Sequence, residues 1–124
     1  MNDKRIDQMI YDGNKMLQRA MDEINRPEED VVSLSVCKGT KLTLDLFMSA
    51  YLLKNNIDPT SLDSISERYE KCKVLDPTFK EVNIYQLDCI DEKGCDASCY
   101  CLSVNKVAEC LKIAEDIRTK VVMS

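Results

Sequence analysis

The sequence predicts an all-α fold, an up-and-down bundle of four to five helices, and three observations predict it. Glycine and proline occur only three times each in 124 residues, too few breaks for a turn-rich β fold. Apolar residues recur at three- and four-residue steps over long stretches. Hydrophobic residues are 44% of the chain and charged residues 31%, enough to fill a core and to cover it. That length suits one domain, so residues 1–124 are read as a single bundle.

The first helix is expected over about Lys4 to Ile24, where Ile6, Met9, Ile10, Gly13, Leu17, Ala20, Met21 and Ile24 form one stripe. Asn25-Arg26-Pro27 breaks it. Pro27 followed by Glu28, Glu29 and Asp30 reads as the opening of a second helix, because proline and acidic groups both suit a first turn. That helix is expected to run to about Lys54. Val32, Val36, Gly39, Thr43, Leu46, Ala50 and Leu53 line one side, and Leu44, Phe47, Met48 and Tyr51 widen the apolar surface. A helix apolar on most sides belongs in the middle of a bundle.

After the turn Asn55-Asn56-Ile57-Asp58-Pro59, Thr60 or Ser61 is expected to cap a third helix over about Leu62 to Val74. Leu62, Ile65, Tyr69 and Cys72 form its inner face, and Asp76-Pro77 closes it. Phe79 to Ile90 is expected to be helical, since an isolated strand at Val82-Asn83-Ile84-Tyr85 has nothing to pair with. Asp91 to Cys101 reads as a loop. Ser103 caps a last helix striped by Val104, Val107, Ala108, Leu111, Ala114, Ile117 and Val121. No internal repeat, low-complexity tract or linker interrupts this order. Met9, Met16, Met21 and Met48 sit at core spacing and are read as packing.

The formal net charge of −5 weighs against a general nucleic-acid binder, which needs a positive footprint on phosphate. Met1 to Arg5 is polar, and no stretch is apolar enough to span a membrane, so a cytoplasmic protein is expected. In that reducing setting the seven cysteines are thiols or metal ligands. No histidine occurs, which removes Cys–His and Ser–His–Asp nucleophiles. P-loop, dinucleotide-binding and nucleophile-elbow signatures do not occur either. The carboxylate pairs Asp63 with Glu67 and Glu115 with Asp116 lie on polar faces beside Lys71, Lys112 and Arg118, and read as solvated surface. No catalytic residue is assigned, and the chain is read as not an enzyme.

Cys89, Cys95, Cys99 and Cys101 carry the one candidate metal site, spaced C-x5-C-x3-C-x-C, with Cys110 further on. Four thiolates suit zinc or an iron–sulfur cluster, but no paired C-x2-C knuckle is present. The bland reading is of small apolar side chains, with no cofactor. Cys95 with Cys99 or Cys101 can also close a disulfide. Lys93 is the only adjacent cation, opposed by Asp91, Glu92 and Asp96, so nothing clearly activates a thiol there.

Four segments in this order carry a family resemblance. They are Cys37-Lys38-Gly39-Thr40-Lys41-Leu42 through Ala50-Tyr51-Leu52-Leu53, Pro59-Thr60-Ser61-Leu62-Asp63-Ser64-Ile65, Asp76-Pro77-Thr78-Phe79, and Leu102-Ser103 through Ala108, Ala114 and Ile117. Together they resemble the HEPN domain, a helical bundle found beside small nucleotidyltransferases, over most of residues 30–122. Ser61 stands where many relatives have histidine, and Cys99-Tyr100-Cys101 stands where an Arg-Tyr pair is common. The family's Arg/His nuclease motif is therefore missing. The resemblance implies a non-catalytic, dimerising module that binds a partner protein, such as a nucleotidyltransferase, or a nucleotide. The alternative is a metal-binding or redox-responsive protein built on the Cys89–Cys101 loop.

Overall fold

The computed structural model of the chain describes residues 2–27, 33–84 and 104–123. Four α-helices lie among them: α1 over Asn2–Ile24, α2 over Ser33–Lys54, α3 over Ile65–Leu75 and α4 over Val104–Met123. Short 3-10 turns at Pro59–Ser61 and Pro77–Glu81 flank α3. The all-α bundle expected from the sequence is what forms.

The α2 helix is the central element and packs against α1, α3 and α4. From Val36 to Leu53 it buries residues on every side, including Leu44, Phe47, Met48, Ala50 and Leu52 with no exposed surface. Its partner α1 buries Ile6, Leu17 and Ala20, with Met9, Ile10, Met21 and Ile24 partly buried beside them. The two run antiparallel, because Gly13 meets Phe47 while Gly39 meets Ala20 and the Met16 carbonyl. At Gly13 the approach is closest. A Cβ there would stand 3.0 Å from Phe47 Cζ, so glycine lets the ring lie on the α1 backbone.

Helix α4 contributes Leu111, Ala114, Ile117 and Val121 to the core, as its stripe predicts, while Ala108 is exposed. Arg118 Nε donates to Asn14 Oδ1 on α1, and Lys54 Nζ donates to the Val121 carbonyl at 3.1 Å. These ties join α4 to both of its long neighbours.

The end of α2 follows a Schellman pattern. Ile57 N–H donates to the Leu52 carbonyl and Asn56 N–H to the Leu53 carbonyl, with Asn56 left-handed at φ 62°. Asparagine tolerates that conformation better than most residues.

Three boundaries differ from the sequence reading. Pro27 lies outside any helix, and α2 starts at Ser33; residues 28–32 fall outside the described residues. The cap of α3 is Ser64, neither Thr60 nor Ser61. Ser64 Oγ accepts from Glu67 N–H at 3.1 Å, while the Glu67 carboxylate accepts from Asp63 N–H at 2.6 Å. This reciprocal arrangement closes two otherwise open donors. Thr60 and Ser61 instead belong to the turn before it. Finally, the helix expected from Phe79 does not form over the described residues. Pro77–Glu81 is a 3-10 turn, and Val82 and Asn83 are non-helical. The neighbouring helix supplies a competing partner: the Tyr69 hydroxyl shares its one proton between the Phe79 and Val82 carbonyls, while the Phe79 carbonyl also closes the 3-10 turn with Val82 N–H.

Candidate functional site

Cys89, Cys95, Cys99 and Cys101 lie outside the described residues. Cys37, Cys72 and Cys110 are all buried. Burial pushes the Cys72 thiol up to about 12, so it is a packing group at neutral pH rather than a nucleophile. Among the described residues no group of three or more Cys, Asp or Glu side chains is placed to hold a metal ion. No described helix is long and apolar enough to cross a membrane.

The densest polar arrangement surrounds α3. Its sequence around Ser64 to Tyr69 puts Arg68 and Tyr69 on adjacent positions that reach opposite ways. Arg68 Nη1 pairs with Asp45 of α2 at 2.6 Å, Nε donates to the Pro59 carbonyl at 3.2 Å, and Nη2 donates to the Leu62 carbonyl at 3.1 Å. Ser49 Oγ donates to the same Asp45 carboxylate at 3.5 Å. All three guanidinium nitrogens are thus engaged within the chain, and Arg68 is a structural tie.

The two turns that Arg68 and Tyr69 hold share one local design, the tripeptide Asp-Pro-Thr. Asp58 Oδ1 accepts from Thr60 N–H at 3.0 Å and from its hydroxyl at 2.7 Å. Asp76 Oδ1 accepts from Thr78 N–H at 3.0 Å and from its hydroxyl at 2.8 Å. Both carboxyls are held below the ordinary range. For Asp58 the first cause is the Thr60 hydroxyl; for Asp76 it is the Thr78 backbone N–H. The sequence reading found no repeat, yet D-P-T occurs at 58–60 and at 76–78. That repetition was the available signal.

A surface cleft of about 370 Å³ lies between the second turn and α4. Val82 and Ile113 supply its apolar lining. Glu81, Glu109 and Asp116 bring three carboxylates to it against Lys112. At its edge Lys120 of α4 pairs with Glu81 at 2.9 Å. Of the carboxylate pairs noted in the sequence, Glu67 spends its carboxylate on the α3 cap by accepting from the Asp63 backbone N–H, and Asp116 faces this cleft. The cleft unites residues thirty apart in sequence, so no local pattern announces it.

The outer faces of the helices carry the remaining feature. Tyr11 of α1, Leu42 of α2, Val74 of α3, and Val122 and Met123 of α4 are exposed, Val74 at 73% and Met123 at 80%. Lys15 Nζ lies 5.2 Å from the Tyr11 ring centroid and covers part of it. Comparison with known proteins finds no family, no curated protein and no solved structure that matches this chain.

Proposed function

We propose that this chain is a non-catalytic, HEPN-like helical bundle that works by association, as a homodimer or beside a partner protein such as a nucleotidyltransferase. The observation that carries this reading is the set of exposed apolar side chains on every long helix, Tyr11, Leu42, Val122 and Met123. Single exposed apolar residues are ordinary, but burial of several on association is a source of affinity. The polar groups support it from the other side: Arg68, Tyr69, Asp58 and Asp76 are committed to holding the fold. Of the two ligand classes the HEPN resemblance implies, the cleft favours a partner protein. With Glu81 paired to Lys120, Glu109 and Asp116 still outnumber Lys112 and disfavour a nucleotide's phosphates. A cytoplasmic location fits the buried free thiol of Cys72.

The test is native mass spectrometry of protein purified without oxygen, together with Tyr11→Ser/Met123→Ser. A metal-free dimer that the double substitution dissociates supports the reading. A strict monomer with no companion co-purifying from the native source sinks it. One zinc or iron per chain transfers the function to Cys89, Cys95, Cys99 and Cys101 instead.

A further inference from the structure

The cleft beside α4 joins an apolar floor to a charged rim. Val82 and Ile113 form the floor, both almost buried. Glu109, Lys112 and Asp116 stand exposed along the α4 side of the rim. Steps of three and four residues put them on one face of the helix, in a row about 10 Å long. On the side of the turn, Glu81 is already paired with Lys120 at 2.9 Å. Charges at such spacing on a helix often pair with one another. Among the described residues, however, Glu109, Lys112 and Asp116 enter no ion pair. An acid–base–acid row is therefore left unused above an apolar floor.

We propose that this cleft docks a helix of a partner protein that presents the complementary row, a basic, an acidic and a basic side chain at the same spacing. The proposal rests on the association reading and specifies the chemistry of the partner. Charge complementarity decides the occupant. A lysine or arginine is amphipathic, so its stem can lie on Val82 and Ile113 while its head reaches Glu109 or Asp116. An acidic side chain between the two basic ones meets Lys112, which a uniformly positive segment would leave facing a like charge.

Size agrees with that occupant. At about 370 Å³ the cleft is near the lower end for small-molecule pockets, which are also lined mainly by apolar groups. It suits a few side chains from one helix face laid into a groove. An alternating row also fixes register, because sliding the partner by one turn sets like charges against each other.

The experiment is a fluorescence-anisotropy titration of the full-length protein with two labelled helical peptides. Each carries Lys, Glu and Lys on one face at the spacing of the row, one peptide for each direction along α4. The expected result is saturable binding of one peptide, weakened about tenfold or more by Glu109→Gln/Asp116→Gln, the scale of losing two charge partners. The decisive variant is Lys112→Glu, which makes the chain more acidic. It is expected to bind that peptide more weakly, and to regain affinity for a peptide with Lys in place of the central Glu. If Lys112→Glu strengthens binding of the original peptide, net charge alone is at work and the proposal is overturned. Absence of saturable binding by either peptide also overturns it, as does displacement of the peptide by an equal concentration of spermidine, which would make a free polyamine the occupant. All three side chains are exposed, so the variants are expected to keep the parent's circular dichroism. Native mass spectrometry reads the oligomeric state of the same samples. A dimer that binds neither peptide overturns the docking cleft alone, whereas a strict monomer that binds one removes the homodimer and keeps the cleft.

Discussion

The turns before and after α3 begin with the same three residues and the same hydrogen bonds, yet they occupy different worlds. In the first, Asp58-Pro59-Thr60-Ser61 stays near the surface with only Pro59 buried, and Arg68 grips its carbonyls from a partly exposed position. In the second, Asp76-Pro77-Thr78-Phe79 sends Phe79 fully into the core against Tyr51, and buried Tyr69 holds its carbonyls. The tripeptide sets the turn, while the fourth residue decides its burial. A charged donor suits the wet turn because a guanidinium keeps some hydration there. A phenol suits the dry one because it brings one proton and an apolar ring.

Five substitutions break or sharpen that contrast. Phe79→Ala has the largest expected effect, a loss of about 3–5 kcal/mol in urea denaturation, because a fully buried ring leaves a cavity beside Tyr51. Tyr69→Phe comes next at about 1–3 kcal/mol, since it takes the phenol donor from the Val82 carbonyl and leaves the Phe79 carbonyl with the Val82 N–H alone. Hydrogen exchange should then rise in the second turn and not in the first. Arg68→Lys is expected to cost about 1–2 kcal/mol, because an ammonium does not span Asp45, Pro59 and Leu62 together. Its exchange signature should be the reverse, confined to the first turn. The smallest effects are those of Asp58→Ala and Asp76→Ala, read as lowered thermal midpoints. Asp76→Ala should lower it more, because its turn anchors Phe79. Equal shifts would mean that the caps act locally and that burial downstream does not depend on them.

Tyr51 and Tyr69 extend the comparison to alkali. Burial raises both phenols above their ordinary value of 10.0, so they contribute stability below that value and withdraw it as pH rises. Ultraviolet titration should show both ionising above the ordinary phenol value, together with the loss of the second turn.

The long helices were legible because burial and period coincide. Ile6, Leu17 and Ala20 repeat on one side of α1, and Leu44, Phe47 and Met48 crowd α2 from several sides, so both the stripe and the centrality can be read from residues alone. The region around α3 was legible only in part. Thr60, Ser61 and Ser64 are all good caps, and which one starts the helix depends on Glu67 reaching back to Asp63. Phe79, Val82, Gln86 and Cys89 carry helical spacing, but spacing does not reveal that Tyr69 takes two of the carbonyls involved. The cleft was hidden for a similar reason, since Glu81 and Asp116 meet only after α4 folds back.

One contact in the core limits how this sequence can change. Phe47 has no exposed surface, and its ring rests on α1 where Gly13 has no side chain. Positions 13 and 47 are therefore free to vary only together. Gly13→Ala should destabilise alone, although alanine is the better helix former by about 1 kcal/mol, because the ring has nowhere to go. In a Phe47→Leu background the same change should become neutral or favourable, a reversal of sign within one double-mutant cycle. Among related sequences, a larger residue at 13 should be accompanied by a smaller one at 47.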